Sequence, residues 1–265
     1  MKRVFFYLRL FPYFVSKSVQ SRMSYRLDFF LGLLANALRQ SLGFVFIWAV
    51  FRGIPEINGW NFYQMMFVYG MQAICVGLYE FLFAGIWSVE KYVQDGELDR
   101  LLLRPVSTLF SVMAADVTFH GLGAALFGLA ICVIALVKLH VAVTVWMLLF
   151  WIAAIVSGTL IYFCLNMMAA TLAFKMTKVG SVLMIVLNIS EFSKYPAAIY
   201  SNGLQILLSF VLPFAFTSYY PAAFILGNGV SAIFWAGPFI AAALCLLLTT
   251  LFWNWGLKGY QSAGG

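Results

Sequence analysis

The stretch that decides the fold is residues 89–107, VEKYVQDGELDRLLLRPVS. Only 9% of the chain is charged, yet these nineteen positions hold seven charged residues. Long apolar runs lie on both sides. Residues 89–107 are therefore a polar island between two membrane spans, and the name polar island is kept for this range. Its charged residues are Glu90, Lys91, Asp95, Glu97, Asp99, Arg100 and Arg104.

The overall composition is that of a membrane protein. Hydrophobic residues make up 64% of the 265 positions, with 27 Phe, 13 Tyr and 8 Trp. Several runs of about 20 residues carry almost no charge, which is the length a helix needs to cross a bilayer. The runs are continuously apolar rather than alternating, so they favour helices over a β-barrel. We therefore expect an all-α integral membrane protein.

The apolar runs predict six transmembrane helices in one transmembrane domain, residues 28–265. Residues 1–27 are basic and aromatic, which predicts an interfacial helix that lies along the membrane. The fifth span is broken by EFSKYP at Glu191–Pro196, and a re-entrant segment at about 196–222 follows it before the last span. The predicted spans are approximately 28–51, 61–87, 109–137, 144–174, 180–195 and 232–253.

The distribution of lysine and arginine predicts the orientation. With the N-terminus inside, the inner side collects twelve of these residues and the outer side three: Arg52, Lys138 and Lys194. Positive residues concentrate on the cytoplasmic side of membrane proteins. The polar island and both termini are therefore expected in the cytosol. The same concentration explains the net charge of +7 without a nucleic-acid partner.

Motifs for catalysis are missing from the sequence. It contains no G-x-x-x-x-G-K-[ST] phosphate loop, no H-E-x-x-H and no G-x-S-x-G, and it has only two histidines. The four cysteines fall singly inside apolar runs, which indicates free thiols packed as small hydrophobic groups rather than a metal site. The chain is therefore expected to be neither an enzyme nor a metal or cofactor binder.

Among the charges within the predicted spans, the functional candidates are Arg39, Glu80, Asp116 and His120. Such residues are costly in a bilayer and are functional candidates by default. Asp116 and His120 are four positions apart, so they are expected on one side of the third span. A structural ion pair from Arg39 to Glu80 or Asp116 fits their depths. Lining of a transport pathway and a proton relay are the alternatives.

Three sequence patches resemble the membrane (permease) subunits of type-2 ABC transporters, an exporter class with six spans per subunit. The branch concerned carries Y-R-x-D-F before the first span and G-E-L-D-x-x-L-L-R-P after the second. This chain has YRLDF at 25–29 and GELDRLLLRP at 96–105. Tyr195, Pro196 and PFAFTSYYPA at 213–222 form the third similar patch.

The resemblance implies that 1–27 is an elbow helix on the inner leaflet and that about 89–105 is a cytosolic coupling helix. A coupling helix sits in a cleft of a separate ABC ATPase subunit, which carries ATP-Mg. Two ATPases would join two membrane subunits, the second being a copy or a related chain, in the inner or plasma membrane of a bacterium. The implied ATPase-coupling residues are Gly96, Glu97, Leu98, Asp99, Arg100, Leu103, Arg104 and Pro105.

The expected function is therefore that of a permease subunit that couples ATP hydrolysis by a partner to export across the membrane. Membrane lipid is the other expected partner, because the aromatic residues suit the interface. Two alternatives stay open. One is a gradient-driven secondary transporter, in which Asp116, His120 and Glu80 carry protons. The other is a membrane assembly protein that transports nothing.

Overall fold

A computed structural model gives the fold of most of the chain. The predicted interfacial helix at 1–27 lies almost wholly outside the part that is described, as does Tyr25 of YRLDF. The structure describes residues 12–13, 16, 26–113, 116–176, 178–228, 231 and 235–260.

The described chain is almost entirely helical, apart from one short β-hairpin of β1 (Glu56–Ile57) and β2 (Trp60–Asn61). Short 3-10 segments connect several of the α-helices. The α-helices are α1 (Arg26–Gly53), α2 (Phe62–Leu82), α3 (Val89–Gln94), α4 (Glu97–Leu102), α5 (Thr108–Met113), α6 (His120–Lys138), α7 (Val145–Thr171), α8 (Gly180–Ser190), α9 (Asn202–Ile206), α10 (Tyr219–Leu226) and α11 (Gly237–Lys258).

Five helices of the described chain are long and apolar enough to cross a membrane: α1, α2, α6, α7 with its 3-10 extension, and α11. This confirms an all-α integral membrane protein. The helix α2 lies at the centre, since 78% of its apolar stretch is buried inside the protein. The same share is 17% for α1, which therefore lies at the edge of the bundle. The polar island lies at one end of the bundle and the β-hairpin at the other.

The third predicted span, 109–137, is not one helix. The structure has α5, then non-helical backbone at 116–118, then α6 from His120. The reason is that Thr118 bonds to the end of α2 instead of continuing a helix. Its backbone N–H donates to the carbonyl of Phe81 over 3.2 Å, and its hydroxyl donates to the carbonyl of Glu80 over 2.8 Å.

Two other predicted spans have different ends. The second was expected to reach residue 87, but α2 ends at Leu82 and a 3-10 segment covers Ala84–Ser88. The last was expected at 232–253, but α11 runs from Gly237 to Lys258. Pro238 lies in its first turn, where proline is compatible with a helix because no intrahelical N–H bond is lost.

Glycines allow α2 and α6 to pack at close distance. Gly70 faces Gly128, and Gly77 faces Gly121. The two glycines of each helix are seven residues apart, and the helices run antiparallel, so both pairs meet. A Cβ added at Gly77 would lie 2.6 Å from the carbonyl oxygen of Gly121, and one added at Gly128 would lie 2.7 Å from that of Gly70. Small residues at an interface are the usual means of close approach between membrane helices.

Between α7 and α11 the chain forms a series of short helices and turns, residues 180–226, and we call this range the broken segment. After α8, a 3-10 turn leads to extended backbone at Tyr195 (φ −120°, ψ 151°). Further short helices follow, including α9 and α10. Asn228, just past α10, accepts a hydrogen bond from Gln64 over 3.0 Å, which ties this region to the hairpin end of α2.

Buried hydrogen bonds hold this segment to the bundle. Gln72 on α2 donates its side-chain amide to the hydroxyl of Tyr162 on α7 over 3.2 Å. The Tyr162 hydroxyl lies 3.3 Å from that of Ser193, and Ser218 donates to the carbonyl of Ser193 over 2.6 Å. Polar groups have no water to bond inside lipid, so these partners fix the broken segment against α2 and α7.

Replacement of Gly77 by alanine is expected to destabilise the protein by about 1–3 kcal/mol, because the added methyl meets backbone atoms that cannot move aside. Thermal unfolding in detergent measures this. Gly53→Ala is the matched control, since an added Cβ there meets nothing within 4 Å. A Gly77→Ala protein as stable as Gly53→Ala would contradict the close contact.

Candidate functional site

The polar island folds as two short helices joined by a turn at Gly96. Gly96 has φ +69°, a left-handed conformation that glycine adopts without steric cost. The helix α3 precedes the turn and α4 follows it. The chain leaves helical geometry after Leu103, two residues before Pro105, which disfavours helix in the residue before it. The sequence motif 96–105 therefore coincides with α4 and its two ends.

One face of α4 is fixed in the core and the other is exposed. Leu98 is completely buried and Leu101 is 8% exposed. Leu103, by contrast, is 88% exposed. Of the remaining predicted coupling residues, Asp99 is half-buried, and Glu97, Arg100, Arg104 and Pro105 are exposed. The result is an anchored element that presents charges and two leucines, Leu102 and Leu103, outward.

A charged cluster forms where α1, α2 and the start of α6 meet. Arg39 lies 3.1 Å from the Oε1 atom of Glu80, and Asn36 donates to its Oε2 atom over 2.8 Å. The Asn36 amide also donates to the carbonyl of His120 over 2.8 Å and accepts from Arg39. Gly32 makes room on α1 for the His120 ring. Of the two partners considered for Arg39, the structure places Glu80 beside it.

A cavity of about 690 Å³ opens beside this cluster. Both Asp116 and His120 line it, but the expectation that they share one side of a helix is wrong. Asp116 lies in the non-helical stretch before α6, because Thr118 bonds to the end of α2 as described above. All four predicted intramembrane charges therefore meet at one cavity, which Trp87 and Tyr79 also line.

Glu90 makes a contact that sequence reasoning missed. Its Oε2 atom accepts hydrogen bonds from the backbone N–H groups of Val179 and Gly180, each over 2.8 Å. These two bonds hold the pKa of the Glu90 carboxyl below its usual range, with Lys178 a smaller contribution. The sequence carries no signal for this contact, because the partners are backbone groups 89 and 90 positions away.

The cysteines occupy the apolar interior. Cys75, Cys132, Cys164 and Cys245 are buried free thiols. Within the described ranges, no three His, Cys, Asp or Glu side chains come together in a group that could hold a metal ion.

Replacement of Glu80 by alanine is expected to cost on the order of 2 kcal/mol, since Arg39 and Asn36 lose a charged acceptor. Thermal unfolding in detergent micelles measures the loss. The double variant Arg39→Met/Glu80→Gln is expected to be more stable than Glu80→Ala, because it leaves no lone charge in the membrane. A double variant no more stable than Glu80→Ala would contradict an energetic link between the two side chains.

Comparison with known protein families agrees with this architecture. The family model described as "ABC-2 family transporter protein" matches residues 37–264. Neither a curated protein nor a solved structure gave a match to the chain. The matched range includes the polar island, Arg39, Glu80 and His120 of the charged cluster, and residues 180–226. Since it covers far more than half of the residues, the chain belongs to the ABC-2 family of transporter proteins, as an integral membrane subunit.

Proposed function

We propose that the chain is the permease subunit of an ATP-driven exporter and that residues 96–105 of the polar island, which contain α4, dock into a separate ATPase subunit. Membrane subunits of the ABC-2 family generally work with ATPase partners. The observation that carries the proposal is the form of α4. Leu98 and Leu101 are buried in the core, while Glu97, Arg100 and Leu103 point outward as a compact docking surface.

The position of α4 in the chain allows it to transmit movement from the ATPase to the membrane helices. It lies between α2 and α6, the two helices in closest contact through their glycine pairs. A force on α4 therefore reaches both helices through short connections. The ATPase can shift the permease between two states only if α4 fits one ATPase state better than the other. ATP-Mg binds the partner in this mechanism, and this chain has no enzymatic activity of its own.

Several finer features belong to the same proposal. The polar island and both termini face the cytosol, as the lysine and arginine distribution indicates. Residues 180–226 complete a sixth crossing, because α8 begins beside Glu90 at the island end and Asn228 bonds at the hairpin end. A second membrane subunit, a copy or a relative, completes the pathway in a bacterial inner or plasma membrane.

The cluster at Glu80 gives little support to the alternative function, a secondary transporter driven by an ion gradient. A proton carrier must change its protonation during the cycle. The Glu80 carboxyl group is instead held in place by hydrogen bonds from Arg39 on the same helix as Asn36, and from Asn36 itself. These contacts suit a structural ion pair that joins α1 to α2 better than they suit a relay.

A change of charge at Glu97 or at Leu103, the residue that caps α4, is expected to weaken ATPase binding. Glu97→Lys or Leu103→Asp should lower the ATPase recovered with the tagged permease by about tenfold or more, since mismatched charge at an interface costs several kcal/mol. Both side chains are exposed, so the membrane domain should stay folded. The measurement is purification in mild detergent from the native cell, with quantitative mass spectrometry of the partners.

Glu56→Lys is the matched control, because Glu56 is exposed on the hairpin at the opposite end of the bundle. It should recover as much ATPase as the wild type. A wild-type permease that purifies without any ATPase would contradict the proposed function. ATPase recovery that is unchanged in both α4 variants would contradict the docking surface.

A further inference from the structure

The Glu90 contact joins the polar island to the start of the fifth membrane segment. Val179 is the N-cap residue of α8, and its own side chain makes no capping hydrogen bond. The first N–H groups of any α-helix lack partners within the helix. Glu90, on α3, supplies the acceptor for Val179 and Gly180 from another part of the chain.

The contact is electrostatically favourable. The N-terminus of a helix carries a partial positive charge, which attracts a carboxylate. Bonds from backbone N–H groups to an ionised carboxylate are stronger than those between neutral groups. The bonds from Val179 and Gly180 lower the pKa of Glu90, as expected where the ionised carboxylate is stabilised, and Lys178 adds positive charge nearby. The carboxylate also accepts a weaker bond from Gln94 on the same helix, over 3.2 Å.

Both sides of the contact are rigid. The helix α3 follows Ile86 and begins with Val89, and both of these side chains are completely buried in the core. On the other side, Val179 is also completely buried. Glu90 therefore links two fixed elements rather than a loose loop and a helix. A displacement of α3 must either move the start of α8 or break both bonds.

We propose that Glu90 is a positioning residue that transmits movement of the polar island to α8, and through α8 to the rest of the broken segment. The inference rests on the proposed function, since it assumes that an ATPase moves α4. The helix α8 is about 16 Å long at the usual rise per residue. Its far end leads to Ser193, which bonds to Tyr162 and Ser218.

Through this contact, a movement of the polar island can reach a helix to which the island is not directly connected along the chain. The covalent connections of the polar island reach only α2, through α3, and α6, through α5. Glu90 extends the reach to α8, about 90 residues further along the chain. Loss of the carboxylate should leave ATPase docking intact, because Glu90 lies on α3 and not on the exposed face of α4. It should disconnect α8 from the response to nucleotide.

Hydrogen exchange with mass spectrometry tests the inference on the intact complex in lipid nanodiscs, with and without a non-hydrolysable ATP analogue and Mg²⁺. In the wild type, the analogue should change exchange at 97–105 and at 179–190. In Glu90→Ala the change at 97–105 should persist, and the change at 179–190 should be lost. Without nucleotide, the first amides of α8 should exchange on the order of tenfold faster in Glu90→Ala.

Two further variants separate transmission from simple helix capping. Glu90→Gln keeps one acceptor oxygen without charge, so its nucleotide response at 179–190 should be intermediate. Gln94→Ala is the matched control on α3, because it leaves both amide bonds of Glu90 in place. It should respond as the wild type does.

The outcomes separate this inference from the proposed function. A wild-type complex without any response at 97–105 would overturn the proposed function and this inference together. A wild-type response at 97–105 without one at 179–190 would overturn the Glu90 proposal alone. An equal response at 179–190 in Glu90→Ala and wild type would do the same.

Discussion

The close contact between α2 and α6 is the constraint on which the rest of the structure depends. Gly70, Gly77, Gly121 and Gly128 remove the side chains that would hold the two backbones apart. The contact brings the end of α2 to the beginning of α6, so that Glu80 and His120 meet Asn36 of α1. It also places the two ends of the polar island side by side. The geometry of both candidate sites therefore follows from a helix contact inside the membrane.

Polar groups within the bundle are used to fix elements that hydrophobic packing alone would leave ambiguous. Lipid is as apolar as a leucine side chain, so apolar burial gives membrane helices little preference for one neighbour over another. The bonds of Arg39 and Asn36 to Glu80 specify how α1 meets α2. The bonds of Tyr162 and Ser193 hold the broken segment, which has too few apolar turns to place itself.

The polar island combines two properties that a moving connection requires. Its inner face is held by Leu98 and Leu101, which prevents it from unfolding into solvent when a partner binds. Its outer face carries charges and two exposed leucines that suit a protein groove. Glu90 then joins this element to α8 through backbone groups. In the proposed exporter, one docking event on α4 thus reaches α2, α6 and α8.

The amino-acid sequence by itself determined which segments lie in lipid and which lie in water. The reason is that hydropathy and charge depend only on which residues stand together in the chain. The all-α membrane class, the polar island and the family resemblance of GELDRLLLRP could all be predicted from it, although several span boundaries could not. Only the tertiary structure decided that Thr118 breaks the third span, that Asp116 and His120 share a cavity without sharing a helix, and that Glu90 bonds to Val179. The physical reason is that each of these depends on hydrogen bonds between residues tens of positions apart, which exist only once the helices are packed.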